Sequence, residues 1–347
     1  MSRRQWLHVR RHLIEHRHRL AVSAADAYPT TPKINGLLTA PGWLPAAPVR
    51  LDAIAIELTP DTPFHGTTGT ESALPVGADG TRYPSYAAAM ADLAAPAVFE
   101  DRPTYRLLAA SPGRLTFGRG TYFDSINTGE AAAHEYAAAD LDPNTRSPLR
   151  DAIGDPCDLR RRPTNVAIST LTLRHDRSTD HVTFFLHWRD PAKVAHAGGL
   201  YQVVPVGIFQ PTRDDNSDFN LWRSILRELA EELRGDPEHP PLDYTAPFAT
   251  TLTNSLGSDV HAFYLGLGVD PLTFATDLLT AVIIDAPLFD ALFGTPTTNT
   301  EGTILKGLPF THETITHFTH HQPLQAAGAA LLTLALTHRT TLIPHHH

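Results

Sequence analysis

The spacing of hydrophobic and polar residues changes near the middle of the chain. Before residue 140, apolar positions recur at helical intervals or form short strand-like runs between Pro- and Gly-rich stretches. After Asn165, longer apolar or alternating runs predict strands at residues 166–173, 181–188, 198–207, 260–266 and 280–284. The polar stretch 140–163, which contains four prolines, separates the two patterns. We therefore predict an N-terminal α+β domain over residues 1–160 and a second domain over residues 161–347.

Two helices are predicted in the second domain. Residues 219–233 combine an apolar face with a charged face, and Asp218 is the predicted N-cap. Residues 324–338 are apolar on almost every side, which is typical of a buried helix.

The N-terminus predicts a basic helix over residues 5–27. Trp6, Val9, Leu13 and Leu20 lie on or near one stripe, and six arginines crowd the first twenty residues. The pattern is compatible with a basic arm for an acidic partner, but it favours a solvated helix whose apolar stripe packs on the domain. Histidines at positions 8, 12 and 16 have a spacing that can hold a metal, yet Glu15 is the one carboxylate that joins them, so a metal site is disfavoured.

Composition narrows the class of protein. The 347 residues carry 28 Lys and Arg against 37 Asp and Glu, a net charge of −9, which disfavours nucleic acid as the partner of the whole chain. A single cysteine, Cys157, excludes a disulfide scaffold and fits a reducing compartment. The longest apolar stretch, residues 326–336, is too short to cross a bilayer. We expect a cytoplasmic globular protein with no membrane partner; the oligomeric state stays open, a homodimer included.

Three carboxylates stand on one face of the predicted helix 219–233. Glu228, Glu231 and Glu232 are spaced i, i+3 and i+4 and therefore share one turn. Like charges this close raise one another's pKa unless a cation neutralises them. Mg²⁺ or Mn²⁺, which prefer oxygen ligands, would do so and would also hold a diphosphate. The alternative is a solvated acidic face paired with neighbouring arginines.

This segment resembles the signature of the Nudix hydrolases, Gly-x5-Glu-x7-Arg-Glu-apolar-x-Glu-Glu-x-Gly, which binds metal and pyrophosphate. The positions that match its helix are Arg227, Glu228, Leu229, Glu231 and Glu232, and Pro205 and Gly207 resemble its entry. The resemblance implies a Nudix-like α/β/α sandwich, with a mixed sheet between helices, over residues 161–347. It also implies that Glu228, Glu231 and Glu232 are catalytic ligands of Mg²⁺ or Mn²⁺. Arg227 would orient one of them through an ion pair.

The loop before the helix departs from that signature. Nineteen residues (208–226) separate Gly207 from Arg227, whereas the family pattern has thirteen. Phe219 occupies the place of the loop glutamate, with Asp214, Asp215 and Asp218 as the nearest substitutes. The metal-binding helix is therefore retained while the phosphate-binding loop is altered.

Further candidates lie outside the helix. Arg189 and Lys193, with His187 and His196 beside them, are placed to contact a phosphate or to act as a base, and a structural role is the alternative for each. Arg189, Lys193 and Gly207 are assigned to substrate binding. Glu301 lies in a late polar loop, where some Nudix-like enzymes place a catalytic carboxylate.

Segments along nearly the whole chain, such as residues 39–45 and 218–223, also resemble a group of uncharacterised actinobacterial proteins. Some of those carry an added helix-turn-helix and are called transcriptional regulators. No helix-turn-helix pattern is evident in this sequence.

These observations favour an enzyme over a binding module. We expect a metal-dependent hydrolase that cleaves the diphosphate of a nucleoside-diphosphate-linked or related small metabolite. The alternatives are a catalytically silent Nudix-like module that senses a nucleotide or other ligand, and a Nudix-fold enzyme with a non-hydrolytic reaction.

Overall fold

A computed structural model describes residues 1–60, 68–96, 99–189, 199–294 and 302–343. The helices are α1 (Arg3–Glu15), α2 (Arg17–Asp26), α3 (Tyr86–Leu93), α4 (Tyr122–Ser125), α5 (Ala131–Leu141), α6 (Pro148–Ile153), α7 (Asp215–Asp218), α8 (Leu221–Glu228), α9 (Pro247–Asn254), α10 (Ala286–Phe293), α11 (His312–His321), α12 (Ala326–Thr337) and α13 (Arg339–Leu342). The strands are β1 (Lys33–Ile34), β2 (Leu37–Leu38), β3 (Val49–Arg50), β4 (Ala55–Leu58), β5 (Pro103–Ser111), β6 (Arg114–Thr121), β7 (Val166–Asp176), β8 (His181–Arg189), β9 (Tyr201–Val203), β10 (Val206–Ile208), β11 (Val260–Val269), β12 (Thr276–Asp285) and β13 (Gly302–Pro309). The predicted α+β class is confirmed.

The main sheet is mixed. Its order is β1-β2-β11-β12-β7-β8-β13, and β3, β9 and β10 pair with β11, β8 and β7 beside this path. Strands β7 and β12 run parallel, whereas the other pairs of this sheet are antiparallel. The predicted hairpin of β7 and β8 is confirmed. The predicted strand 198–207 is wrong as one element, because β9 pairs with β8 and β10 with β7.

Both faces of the main sheet are covered. In β12, Leu278 and Val282 belong to one apolar cluster, whereas Leu279 and Ala281 belong to a second, as expected from the alternation of side chains along a strand. The first cluster also holds residues of α8 and α10, and the second holds residues of α11 and α12. The mixed sheet therefore lies between helices, and its assignment to the Nudix fold stays a prediction.

The N-terminal region shares this core. Strands β2 and β3 pair with β11, and a separate three-stranded sheet has the order β4-β6-β5. The first apolar cluster joins Trp6 and Tyr105 to Ile225 and Leu278, on the two sides of residue 160. The domain boundary at residue 160 stays a prediction, and the apolar packing is continuous across it.

The N-terminal helix is broken in two at His16. Its apolar stripe packs inward, with Trp6, Leu13 and Leu20 fully buried, which confirms the packed helix. Arg10 and Arg17 are not solvated as expected, because both form buried ion pairs with Glu130. Burial of an arginine is tolerated when a carboxylate pairs with it, so these residues connect the N-terminus to the interior.

Helix α12 confirms the buried helix near the C-terminus, since most of its residues lie in the second apolar cluster. No helix within the described ranges combines the length and apolarity needed to cross a membrane.

Candidate functional site

The carboxylate-bearing helix packs on β7 and β10. Its apolar face, which includes Leu221, Ile225 and Leu229, is buried against the sheet. Helix α8 is α-helical to Glu228, then widens into a π-helical turn over Leu229–Arg234 that ends at Gly235 in the left-handed conformation. Such π-helical turns are frequent at functional sites.

The predicted N-cap is wrong. Asn220 caps α8, with its side-chain oxygen accepting a hydrogen bond from the Arg223 N–H at 3.0 Å. Asp218 is instead buried and accepts hydrogen bonds from the N–H groups of Thr212 and Arg213. Asp218 therefore fixes the loop before the helix.

A cavity of about 1030 Å³ lies beside the π-helical turn. Six candidate site residues from the sequence line it: Arg189, Gly207, Arg227, Glu228, Glu231 and Glu232. The candidate His187 does not. Ligand cavities typically measure about 300–1,000 Å³, so the space is sufficient for a nucleotide-sized molecule. Lys193, His196 and Glu301 lie outside the described residues, so their predicted roles stay predictions.

Arg227 fixes the helix to the neighbouring strand. Its guanidinium donates to the Glu228 carboxylate at 2.7 Å and to the carbonyl oxygens of Ile208 and Gln210. The side chain is 2% exposed, so these interactions are shielded from water. A buried arginine with a carboxylate and two carbonyl partners holds Glu228 in one orientation.

Gly207 lets the strand approach that carboxylate. A Cβ atom at this position would lie 1.9 Å from the Glu228 carboxyl carbon. Any residue with a side chain here would therefore displace Glu228, and Gly207 shapes the cavity wall through this contact.

Glu232 is anchored at one oxygen and open at the other. Its Oε1 accepts a hydrogen bond from the Val206 N–H at 3.0 Å, whereas its buried Oε2 has no hydrogen-bond partner among the described groups. The Nδ1 atom of His187 lies 3.7 Å from this Oε2, beyond hydrogen-bond distance. A buried carboxylate oxygen without a partner is costly unless a ligand binds it.

Glu231 carries the clearest electrostatic perturbation. Burial, followed by repulsion from Glu228, raises the pKa of Glu231 to about 8, although Arg227 opposes the shift. At neutral pH the folded protein therefore holds a proton on Glu231 that the unfolded chain has released.

This shift predicts a pH-dependent effect of Glu231→Gln. Because the folded-state pKa is raised above its ordinary value of 4.5, the group's contribution to stability is complete below pH 4.5 and is lost as the pH rises through 8. We expect the variant to match the wild type near pH 4 and to exceed its free energy of unfolding by about 1–3 kcal/mol at pH 8.5. Urea unfolding across this range measures the difference. A difference that does not change with pH would contradict the assignment.

The carboxylates do not form a ready-made metal site. Across the described ranges, no three His, Cys, Asp or Glu side chains converge for metal binding. Glu228 is turned toward Arg227 and Glu232 toward the Val206 N–H, which separates their oxygens. The donor chemistry nevertheless fits a hard divalent cation, because a cation would satisfy the open oxygen of Glu232 and offset the burial and carboxylate repulsion that raise the pKa of Glu231.

The three aspartates of the preceding loop do not replace the missing loop glutamate. Asp214 caps α7, Asp215 binds Arg119 and Tyr105, and Asp218 holds the loop backbone. None of the three lines the cavity. Their expected role as substitutes is not supported by their positions.

Other residues of the cavity were not identified as candidate site residues from the sequence. Asp277, Gln202 and Gln325 line the cavity, as do Arg162 and Glu238. Burial raises the pKa of Asp277 to about 7, although a hydrogen bond from Ser169 opposes the shift. In the sequence, Asp277 is an acidic residue within an otherwise apolar strand pattern, and this is the one feature that could have marked it as a candidate site residue.

His134 and Glu135 of α5 are buried. The His134 ring stacks on Trp6, and burial lowers its pKa to about 3. Glu135 accepts hydrogen bonds from the N–H groups of Leu149 and Arg150 at the start of α6. Glu135 therefore fixes the start of α6, whereas the buried Nε2 of His134 has no hydrogen-bond partner among the described groups.

Comparison with known proteins does not assign this chain to a family. No family model matches the chain, and no curated protein shows significant similarity to it.

Proposed function

We propose that the chain is a metal-dependent hydrolase that cleaves a diphosphate in a nucleoside-diphosphate-linked or related small metabolite. One observation carries the proposal: six residues selected from the sequence line one large cavity, namely Arg189, Gly207, Arg227, Glu228, Glu231 and Glu232. A solvated acidic face, the alternative for these carboxylates, would instead be open to water.

In this proposal the glutamates and the arginines of the cavity have different roles in binding a diphosphate. Glu228, Glu231 and Glu232 would hold Mg²⁺ or Mn²⁺, which would supply positive charge to polarise a phosphoryl group. Arg227 keeps Glu228 in place, and Arg189 adds positive charge to the cavity. Hydrolysis adds water to one phosphorus atom and breaks the bridging P–O bond, so the products are two phosphate-bearing fragments.

A second candidate is a silent ligand-sensing module. It is favoured by the loop at residues 212–214, whose three N–H groups all point to the Asp218 carboxylate. Those donors are therefore engaged within the chain, whereas a phosphate-binding loop directs its N–H groups to the ligand.

Cleavage of a linked diphosphate into two phosphate-bearing products separates the two candidates. The assay would cover a panel of diphosphate compounds with Mn²⁺, with mass spectrometry of the products. Cleavage at the diphosphate supports the hydrolase. Thermal stabilisation by a nucleotide without turnover supports the sensing module. If the protein shows neither cleavage nor stabilisation, both candidates are overturned.

A further inference from the structure

Two arginines of the N-terminal helices meet at one buried carboxylate. Arg10 lies on α1 and Arg17 is the first residue of α2, and the side chains of both bind Glu130. The three residues are 3%, 5% and 4% exposed, respectively. The terminal nitrogens of Arg17 lie 3.2 and 3.3 Å from the oxygens of Glu130. We call Arg10, Arg17 and Glu130 the buried triad.

The buried triad adjoins a turn that lines the cavity. Glu130 is the last residue of a second π-helical turn, Ile126–Glu130, which leads into α5. Four residues of this turn line the cavity: Ile126, Thr128, Gly129 and Glu130. No residue of α1 or α2, both of which the structure describes in full, lines it. The N-terminal helices therefore reach the cavity through Glu130.

The same turn packs on the loop that leads into β12. A Cβ atom at Gly129 would lie 2.2 Å from the Thr273 carbonyl oxygen, so the two backbones are in direct contact. Thr273 also lines the cavity. Arg150 of α6 holds the start of this loop, because its guanidinium donates to the Pro271 carbonyl oxygen at 2.7 Å. Residues 126–130 and 273–275 together form one side of the cavity, which we call the N-terminal wall.

Stability alone does not account for a buried triad of charged groups. Taking two guanidinium groups and a carboxylate out of water is costly, and apolar side chains of similar volume often stabilise a fold as well or better. The ionic contacts add direction, because an arginine binds a carboxylate through hydrogen bonds of defined geometry. The buried triad can therefore hold the turn in one position relative to α1 and α2.

We propose that Arg10 and Arg17 are positioning residues that act through Glu130 and hold the N-terminal wall in the place that the ligand requires. The N-terminal helices would then contribute to the binding site without contacting the ligand. The effect on ligand affinity rests on the proposed function, whereas the effect on the wall does not.

Hydrogen–deuterium exchange of the ligand-free protein, read by mass spectrometry, tests whether the triad holds the wall. The test variant combines three apolar replacements of similar volume: Arg10→Met, Arg17→Met and Glu130→Leu. We expect the amides of residues 126–130 and 273–275 to exchange at least about tenfold faster than in the wild type, because local opening becomes easier. Amides of β7 in the main sheet should exchange as they do in the wild type.

Arg19→Gln is the matched control. It removes an exposed ion pair of α2 with Asp140 and should leave the exchange of the wall unchanged. If the triple variant does not fold, Arg17→Gln alone leaves Arg10 paired with Glu130 and should accelerate exchange of the wall at least about threefold. Wild-type exchange of the wall in a folded variant would overturn the proposal. Faster exchange throughout the chain, β7 included, would also overturn it, since the triad would then stabilise only the fold as a whole.

Steady-state kinetics test the consequence for the ligand. With Mn²⁺ and the diphosphate compound that is cleaved best, the triple variant should raise KM by about tenfold and change kcat by less than about threefold, because the wall moves while α8 stays in place. A fall in kcat with unchanged KM would overturn the positioning role. If no compound is cleaved, the hydrolase is overturned, and the exchange measurement, which needs no substrate, still decides whether the triad holds the wall.

Discussion

Replacing Glu232 by glutamine is expected to lower kcat/KM for diphosphate cleavage by about 10²–10³-fold, the usual effect of removing one preorganised electrostatic group. The substitution removes the negative charge but keeps an oxygen that can accept the Val206 N–H. The fold should therefore survive while the capacity to hold a cation is reduced. Steady-state kinetics with Mn²⁺ and the best substrate of the panel measure the effect.

Glu313→Gln provides the matched control for this charge. Glu313 is exposed on α11 and does not line the cavity, so its variant should retain wild-type kcat/KM. Unchanged cleavage by the Glu232 variant would place the chemistry elsewhere.

Gly207→Ala is expected to lower both stability and activity. The added Cβ would meet the Glu228 carboxyl group, which Arg227 holds in place, so strand and helix must separate. Overpacking of this kind costs about 1–3 kcal/mol of the free energy of unfolding. Urea unfolding measures the loss, and a fall in kcat/KM should accompany it because Glu228 is displaced.

A double-mutant cycle identifies the cause of this loss. Glu228→Ala removes the carboxylate that the new Cβ meets, so Gly207→Ala should cost at least about 1 kcal/mol less in that background than in the wild type. Equal cost in both backgrounds would show that the close contact with Glu228 is not responsible.

Much of the fold follows from local pattern. Apolar and β-branched runs at residues 166–173 and 181–188 predict strands, and both strands are buried along most of their length because helices cover both faces of the sheet. The carboxylate helix is predicted for the same reason, since its buried residues recur at helical spacing. These signals are carried by neighbours in sequence, so one chain suffices to detect them.

Details of the loop before the carboxylate helix and of the turn after it were wrong or absent in the sequence prediction. Asp218 has the residue type of an N-cap, but the N–H groups of Thr212 and Arg213 bind it, and Asn220 caps the helix instead. The π-helical turn after Glu228 has no local signal that we can identify. Both features depend on how the loop packs against the sheet.

The site was predictable on its helix side and not on its sheet side. Glu228, Glu231 and Glu232 form a recognisable group because one helical turn brings them together. Asp277 and Gln202 are separated by more than seventy residues and both line the cavity, an arrangement that no short motif encodes. The sheet side of the cavity is therefore recognised only in the three-dimensional structure.

The central claim is that the cavity beside Arg227–Glu232 binds a divalent cation and a diphosphate together. The most direct measurement is an anomalous difference map from crystals containing Mn²⁺ and methylenediphosphonate, an analogue whose bridging group resists hydrolysis. The account predicts a manganese peak against Glu228, Glu231 and Glu232, with the diphosphonate beside it in the cavity. Manganese and diphosphonate bound elsewhere, with this cavity free of both, would contradict it.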